Sequence, residues 1–312
     1  MKLLFLSAAA LSLSACTITM KEETIFQPPS TAMASSVDEM YLDDQEELTS
    51  PDSPLVTDAK YVGLLPASIE HGYLYPETKS GPYSIIRASD AAQTEDRPMI
   101  LLCYGTGADR RTYGTTYARN LLPYGDVIEF DYPGYGDNPG SPSIAGIEGM
   151  KPDVVALAEA EAGDRPLIYW GHSLGGFICP SYAASSPEVD AVAYWSTALN
   201  AEETSEVWKP WFLRVLPVKM EMSPDLATQD GQDNAAWIED FDGPVLVISG
   251  GKDDVLPAWL QESLRDELIS QGNDVTYLSL PNANHVNALS QPEFPELIAP
   301  WVSDVKAFAA DQ

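Results

Sequence analysis

The chain has 312 residues, of which 45% are hydrophobic, and it includes seven tryptophans. A chain of this length and composition can bury a large core, which excludes an intrinsically disordered protein. The formal net charge is −30 at pH 7, which argues against nucleic acid as a partner because its phosphate backbone would be repelled. The acidic residues are spread along the chain, which is typical of a solvated surface; recruitment of a cationic substrate is the alternative.

The N-terminal segment combines the basic Lys2 with a short apolar run that ends in LSAC at residues 13–16. The run is shorter than the roughly 20 residues that span a bilayer, and it is typical of an export signal. Its end resembles the lipobox of bacterial lipoprotein signal peptides. The resemblance implies that residues 1–15 are removed and that a lipid on Cys16 holds the protein at a membrane of the bacterial cell envelope. Thr17 follows rather than aspartate, which favours the outer membrane in a Gram-negative cell; ordinary cleavage to a free periplasmic protein is the alternative.

The segment behind this signal, residues 16–59, is polar, acidic and rich in Ser, Thr and Pro. It has no sustained apolar periodicity, and such a composition buries too little apolar surface to fold alone. We therefore expect a flexible acidic tether between the membrane and a folded body formed by residues 60–312.

Within that body, short apolar segments alternate with helical ones. Apolar, β-branched and aromatic runs predict strands within 61–76, 81–89, 99–104, 126–136, 166–171, 190–196, 244–250 and 275–280. Helices are predicted at 109–122, 146–162, 174–185, 257–271 and 293–309. This alternation implies an α/β fold, with a mostly parallel central sheet flanked by helices. Functional groups in such a sheet gather at the carboxyl ends of the strands.

One strand end carries the pattern G-x-S-x-G. The segment PLIYWG runs directly into Gly171-His172-Ser173-Leu174-Gly175 and then into a predicted helix. A serine on such a sharp turn has an exposed hydroxyl, and the flanking glycines relieve crowding. The helix N-terminus favours developing negative charge. Ser173 is therefore the candidate nucleophile.

A serine nucleophile needs a general base, and the chain has three histidines. His172 adjoins Ser173, and we expect it to point to the other side of the turn. His71 belongs to the early strands. His285 follows the last predicted strand and is therefore the candidate base.

The acid that orients the base is sought after the strand PVLVISG. Asp253 and Asp254 both follow it, and spacing leaves the two open. The order Ser, acid, His is the chain order of α/β-hydrolase triads. The acid would accept a hydrogen bond from the imidazole and hold its tautomer.

Three further segments carry a family resemblance. FDYPGYGDNPGSPS at 130–143, PVLVISGGKDDVLP at 244–257 and LPNANH at 280–285 resemble motifs of the α/β-hydrolase superfamily. The resemblance is closest to the serine-hydrolase branch with monoacylglycerol-lipase-like and depalmitoylase-like enzymes. It implies an α/β-hydrolase fold with a small cap insertion at about 200–242, Asp253 as the acid, and His285 as the base. It also implies hydrolysis of an ester or thioester on a small-molecule or lipid substrate.

The oxyanion hole of such enzymes is formed by two backbone amides. One is expected from Leu174, directly after the nucleophile. The other is expected from Thr106, in a loop where family members usually show His-Gly-x and this chain has Tyr104-Gly105-Thr106. Because tyrosine replaces the usual histidine, the sequence does not indicate how this loop is supported.

The two cysteines of the body, Cys103 and Cys179, fall in a predicted central strand and in the helix after Ser173. We expect both to be buried free thiols, with a disulfide as the alternative. Neither a metal-ligand spacing nor a dinucleotide fingerprint is found, so we expect no metal and no cofactor. An amidase or peptidase of the same fold and a non-catalytic binding lipoprotein are the alternative functions.

Overall fold

The computed structural model describes residues 17–20, 25–29, 67–88, 96–208, 219–222 and 234–312. Its strands are β1 (Thr17–Met20), β2 (Ala67–Tyr75), β3 (Ser80–Ala88), β4 (Met99–Cys103), β5 (Asp126–Phe130), β6 (Leu167–His172), β7 (Ala191–Trp195), β8 (Lys219–Met222), β9 (Pro244–Gly250) and β10 (Asp274–Leu280). Its α-helices are α1 (Thr115–Leu121), α2 (Ile144–Ala162), α3 (Gly175–Ala183), α4 (Ala201–Trp208), α5 (Ala258–Gln271) and α6 (Phe294–Ala310). Single turns of π or 3-10 helix lie at Arg110–Gly114, Ala236–Ile238 and Ala288–Ser290.

Eight of these strands form one sheet in the order β10-β9-β7-β6-β4-β5-β3-β2. Neighbours are parallel except at β3, which runs antiparallel to both β2 and β5. The strands β4, β5, β6, β7 and β9 are buried along their whole length. Continuous apolar runs are typical of parallel strands covered on both faces. The predicted mostly parallel sheet is confirmed.

The core has two halves, one on each face of the sheet. Leu101 and Tyr169 point into one half, while Ile100, Leu102 and Trp170 point into the other, because successive side chains of a strand alternate between faces. The first half is closed by α2, α3 and α5, and the second by α1 and α6.

The predicted helices are found within about two residues of their expected bounds, with one internal exception. The segment predicted as a helix at 109–122 begins with the π turn Arg110–Gly114 and becomes α-helical only at Thr115. A Cβ on Gly114 would lie 2.6 Å from the Tyr104 hydroxyl. The missing side chain therefore lets the turn pack against Tyr104.

The amino edge of the sheet is held by one buried carboxylate. Asp126 at the start of β5 is completely buried and accepts hydrogen bonds from the Ala88 amide at 3.0 Å, Arg97 Nε at 2.9 Å and Arg165 Nη1 at 2.9 Å. A buried charge is tolerated only when it is paired and hydrogen-bonded in this way. The contacts tie the end of β3 to the segments that lead into β4 and β6.

Cys103 and Cys179 form a disulfide with a Cα–Cα distance of 5.8 Å, so the expectation of two free thiols is wrong. The end of β4 and the start of α3 approach each other closely: a Cβ on Gly175 would lie 2.1 Å from the Cys103 carbonyl oxygen. This approach brings together two thiols separated by 76 residues.

Two parts of the expected tether lie within the fold. β1 pairs in parallel with β8 from the Thr17–Lys219 pair to the Met20–Met222 pair, and Ile25 and Phe26 are buried. The expectation of a flexible tether therefore does not hold at 17–20 and 25–29. The remainder of the tether, the signal segment and Cys16 lie outside the described residues.

The expected cap, residues 200–242, contributes α4, β8 and the turn at Ala236–Ile238; its residues 209–218 and 223–233 lie outside the described part. Among the described residues, no helix combines the length and the apolar character needed to cross a membrane.

Candidate active site

The turn between β6 and α3 forces Ser173 into an unusual backbone conformation. Its φ is 53°, in the left-handed region that costs about 1–2 kcal/mol for a residue with a Cβ. Its amide donates to the Trp195 carbonyl at 2.9 Å, and its carbonyl accepts from the Thr197 hydroxyl at 2.9 Å. These bonds to the end of β7 hold the strained turn in place.

The glycines of G-x-S-x-G occupy positions with no room for a side chain. A Cβ on Gly171 would lie 2.4 Å from the Gly175 carbonyl oxygen, and one on Gly175 would meet the end of β4. The start of α3 therefore packs on Gly171 and the end of β4 packs on Gly175, and both contacts require glycine. The turn lifts Ser173 to the carboxyl edge of the sheet.

Two hydrogen bonds connect Ser173, His285 and Asp253. The Ser173 hydroxyl donates to His285 Nε2 at 3.0 Å, and His285 Nδ1–H donates to Asp253 Oδ2 at 2.8 Å. The three residues follow the carboxyl ends of β6, β10 and β9, which meet at one edge because these strands are parallel. The structure thus brings together the three side chains that the sequence selected.

The two neighbouring acids differ in their surroundings. Asp253 is buried, and its Oδ1 accepts from the amides of Val255 at 3.0 Å and Leu256 at 2.8 Å. Its second oxygen is thereby aimed at His285. Asp254 is exposed. The carboxylate that meets the imidazole is that of Asp253.

The sequence predicts that His172 points to the other side of the turn, but its side chain contacts the candidate base. It is buried, its Nε2–H donates to the His285 carbonyl at 2.9 Å, and its ring centroid lies 4.0 Å from that of Trp195. Burial, with His285 as a second cause, lowers the pKa of His172 to about 3. A neutral ring that donates from Nε2 has no proton on Nδ1. His172 therefore holds the backbone of the candidate base.

The loop after β4 lies directly against Ser173. A Cβ on Gly105 would be 3.0 Å from His172 Nδ1 and 3.2 Å from the Ser173 Cβ. Within the described part of the chain, the amides of Thr106 and Leu174 donate no hydrogen bond to protein. Both belong to segments that flank the Ser173 hydroxyl, as an oxyanion hole requires.

Tyr104 replaces the histidine usual in related loops and acts as a buried support. Its carbonyl accepts from the Tyr132 hydroxyl at 3.1 Å, and the two rings meet edge to face at 6.5 Å. Burial first, and then the nearby Glu129 carboxylate, raise the pKa of Tyr104 well above its usual value. The phenol therefore stays protonated at neutral pH.

The far end of this loop is held by a buried ion pair that the sequence did not reveal. Asp131 accepts from the Arg110 amide at 2.9 Å and from Arg110 Nε at 3.0 Å, while Arg110 Nη1 donates to the Ser84 hydroxyl at 2.7 Å. Asp131 belongs to the FDYPGYG motif, and a Cβ on Gly136 would lie 2.3 Å from its Oδ2. The motif thus positions the candidate oxyanion loop.

A short N-terminal segment, residues 25–29, covers the same loop; we call it the strap. The Gln27 amide donates to Thr106 Oγ1 at 2.9 Å, and the Thr106 hydroxyl donates to the Ile25 carbonyl. Phe26 is buried in the core cluster that contains Tyr132 and Tyr135. A segment of five residues is too short to show a hydrophobic periodicity, so the strap cannot be predicted from the sequence.

Comparison with known proteins agrees with this architecture. The family described as "alpha/beta hydrolase fold" matches residues 98–219, which include the turn with Ser173 and the candidate oxyanion loop. The protein has the α/β-hydrolase fold. Within this fold, the match ends before β9 and β10, which carry Asp253 and His285.

Relatives of this hydrolase-fold protein cover different shares of the chain. An uncharacterized protein of Mycobacterium tuberculosis is 29% identical over 220 residues, or 69% of this chain and 67% of the relative. The lysophosphatidylserine lipase ABHD12 of Xenopus tropicalis is 49% identical over 82 residues, which are 25% of this chain and 21% of that lipase. The match thus spans about a fifth of the lipase's length.

Among solved structures, a membrane phospholipase A described as a bacterial virulence factor superposes with a TM-score of 0.55. The two proteins are 20% identical, and the superposition covers 89% of this chain and 99% of that one. At this identity, the likeness shows the fold alone.

Proposed function

We propose that this protein is a serine hydrolase that cleaves a carboxylic ester or thioester through an acyl-enzyme intermediate. The observation that carries the proposal is the continuous chain of hydrogen bonds from Ser173 through His285 to Asp253, at 3.0 and 2.8 Å. A nucleophile, a base and a group that orients the base are the parts this chemistry needs.

In the first half of the reaction, Ser173 Oγ attacks the acyl carbon while its proton passes to His285 Nε2. Asp253 keeps the other imidazole nitrogen protonated and stabilises the positive charge. The Leu174 and Thr106 amides donate to the negatively charged oxygen of the tetrahedral intermediate. The intermediate collapses when His285 gives its proton to the departing alcohol or thiol.

In the second half, a water molecule gives a proton to His285 and attacks the acyl-enzyme. The new tetrahedral intermediate expels Ser173 Oγ, which takes the proton back. One water is consumed, and one carboxylic acid and one alcohol or thiol are released. Every catalytic group in these steps is a side chain or amide of this chain.

The choice of an ester over an amide is supported by the named lipase relative. Hydrolysis of p-nitrophenyl esters of increasing acyl length, with a matched anilide, tests it. We expect measurable ester turnover that Ser173→Ala reduces by about 10³-fold or more. Ser185→Ala, at an exposed serine just after α3, is the control and should retain activity. Equal turnover by Ser173→Ala and wild type would overturn the proposal.

We also propose that the protein is held by a lipid on Cys16 in the bacterial cell envelope, facing the periplasm or the cell surface. The resemblance of residues 13–16 to a lipobox supports this, and the Cys103–Cys179 disulfide is of the kind that persists in oxidising compartments. Cells grown with radioactive palmitate should label the wild-type protein and not Cys16→Ser, which should leave the membrane fraction. Unchanged fractionation of Cys16→Ser would contradict the anchor.

A further inference from the structure

Exposed apolar side chains are concentrated at the edge of the sheet where Ser173 lies. Among the described residues, eight large hydrophobic side chains are exposed. Four of them lie close to the proposed catalytic residues: Tyr113 on the segment after β4, Val255 and Trp259 within six residues after Asp253, and Val286 directly after His285. We call these four residues the apolar rim. Clustered exposed apolar groups, unlike scattered ones, mark a surface that meets something apolar.

The apolar rim borders the proposed catalytic residues directly. The Val255 amide donates to Asp253 Oδ1 at 3.0 Å, and Val286 is the next residue after His285. Tyr113 stacks on Tyr117 at 6.1 Å between ring centroids, and the Tyr117 ring lies 5.2 Å from that of His172. Whatever covers the rim therefore also covers the mouth of the site.

The chain itself indicates what lies against this edge. The strap is bound to the oxyanion loop through Thr106, and Ile25 follows Cys16 by nine residues. Nine residues span at most about 30 Å when fully extended. A compact domain of this length has a radius of gyration of about 20 Å, so a lipid on Cys16 cannot enter a bilayer on the side opposite the site.

We propose that the apolar rim inserts into the membrane that holds Cys16, so that the site opens onto lipid and its substrate is an acyl lipid drawn from that membrane. This inference rests on the proposed hydrolase activity and on the proposed anchor. Ester cleavage would add one water to the acyl lipid and release a fatty acid and the remaining alcohol. A rim tryptophan suits this position because its ring is apolar and its N–H finds partners among headgroups.

The net charge of the protein indicates which lipid headgroups the apolar rim can approach. With a formal net charge of −30, the protein is repelled by anionic lipids, so attraction between charges does not supply the docking energy. Burial of apolar side chains supplies it instead. We therefore expect productive docking on zwitterionic phosphatidylcholine vesicles, weakened when anionic lipid is added at low salt.

The kinetic test compares two positions on one helix. Trp259 and Ile269 are both exposed on α5, the first beside the site and the second near the opposite end. The lipidated protein is reconstituted in phosphatidylcholine vesicles that contain monooleoylglycerol, with p-nitrophenyl acetate as the soluble ester. Trp259→Glu should lower monooleoylglycerol hydrolysis by about tenfold or more and leave p-nitrophenyl acetate hydrolysis unchanged. Ile269→Glu should leave both unchanged. Equal losses in the two variants, or no loss in Trp259→Glu, would overturn the proposal.

A second measurement does not depend on catalysis. The chain has three cysteines: Cys103 is paired with Cys179, and Cys16 is acylated under the proposed anchor. A newly introduced cysteine is then the one free thiol available for labelling. An environment-sensitive dye on Trp259→Cys should be quenched by nitroxide-labelled lipid, and the same dye on Ile269→Cys should not. A dye at position 259 that reports an aqueous environment would refute membrane insertion. So would a dye that is shielded because a second copy of the protein covers it in a dimer that persists in detergent. Quenching at position 259 in a protein without esterase activity would refute the proposed function and leave the docking intact.

Discussion

Among single residues, Asp253 and Asp254 can be compared directly, because the two neighbouring carboxylates differ in their burial and in their hydrogen-bond partners. In the proposed reaction Asp253 donates no proton; it accepts the hydrogen bond from His285 Nδ1–H at 2.8 Å and so fixes which nitrogen faces Ser173. Sequence spacing left both acids open, because the distinction depends on the loop at Val255 and Leu256, whose amides bind the other oxygen of Asp253.

Asp253→Asn should lower kcat for p-nitrophenyl ester hydrolysis by about 10³–10⁴-fold, because the amide presents the wrong hydrogen-bonding group to the imidazole. Asp254→Asn, the matched control at the exposed neighbour, should remain within about twofold of wild type. Steady-state kinetics at pH 7 measures both. A comparable loss in the two variants would contradict the assigned acid.

His172 precedes the proposed nucleophile in the chain, and its Nε2–H donates to the carbonyl of the proposed base, His285, at 2.9 Å. It is a positioning residue, because its effect on the reaction passes through His285. His172→Phe removes the donor and should lower kcat by about tenfold, the value of one hydrogen bond, with KM unchanged. His172→Gln keeps an amide donor and should recover part of the loss. Identical kcat values for wild type and His172→Phe would show that the bond has no role in positioning the base.

At the scale of elements, the sequence was most informative where apolar runs and helical segments are long. The segments that became β9, α2 and α5 were predicted to within about two residues, and the parallel sheet followed from their alternation. Contacts between distant elements were not predictable. The Cys103–Cys179 disulfide depends on how closely α3 approaches the end of β4. The local periodicity of the sequence carries no information on this distance.

The strap is a second example, since two hydrogen bonds to Thr106 connect it to a loop about 80 positions away in the chain. Thr106→Val removes the hydroxyl that makes both bonds and keeps the backbone amide proposed for the oxyanion. We expect kcat/KM to fall by about five- to tenfold and protease cleavage near residues 21–29 to accelerate. Thr116→Val, at an exposed threonine of α1, is the control. Unchanged cleavage and activity in Thr106→Val would show that the strap does not support the loop.

At the scale of the whole molecule, the buried neutral imidazole of His172 makes the free energy of unfolding depend on pH. Its pKa is lowered to about 3 in the folded state, against about 6.5 in an unfolded chain. Between these values the unfolded chain binds more protons than the folded one. The contribution of His172 to the free energy of unfolding is therefore fully present above pH 6.5 and is lost as the pH falls toward 3. The loss through this group reaches about 1.4 kcal/mol for each pH unit.

Urea unfolding at pH 6.5 and pH 5 isolates this contribution when wild type is compared with His172→Phe, because other groups titrate alike in both proteins. Wild type should lose about 2 kcal/mol more than the variant over this interval. Parallel pH dependence in the two proteins would mean that His172 is protonated without cost in the fold. The same measurement reports the absolute stability of each variant, so a loss of folding would be visible.

Active-site labelling determines whether Ser173 is the nucleophile of a serine hydrolase. The wild-type protein is treated with a fluorophosphonate, digested and analysed by mass spectrometry, beside Ser173→Ala and Ser185→Ala. We expect one adduct, on Ser173, at about one label per chain in wild type and Ser185→Ala, and none in Ser173→Ala. A folded wild-type protein that stays unlabelled, or an adduct that persists in Ser173→Ala, would contradict this assignment.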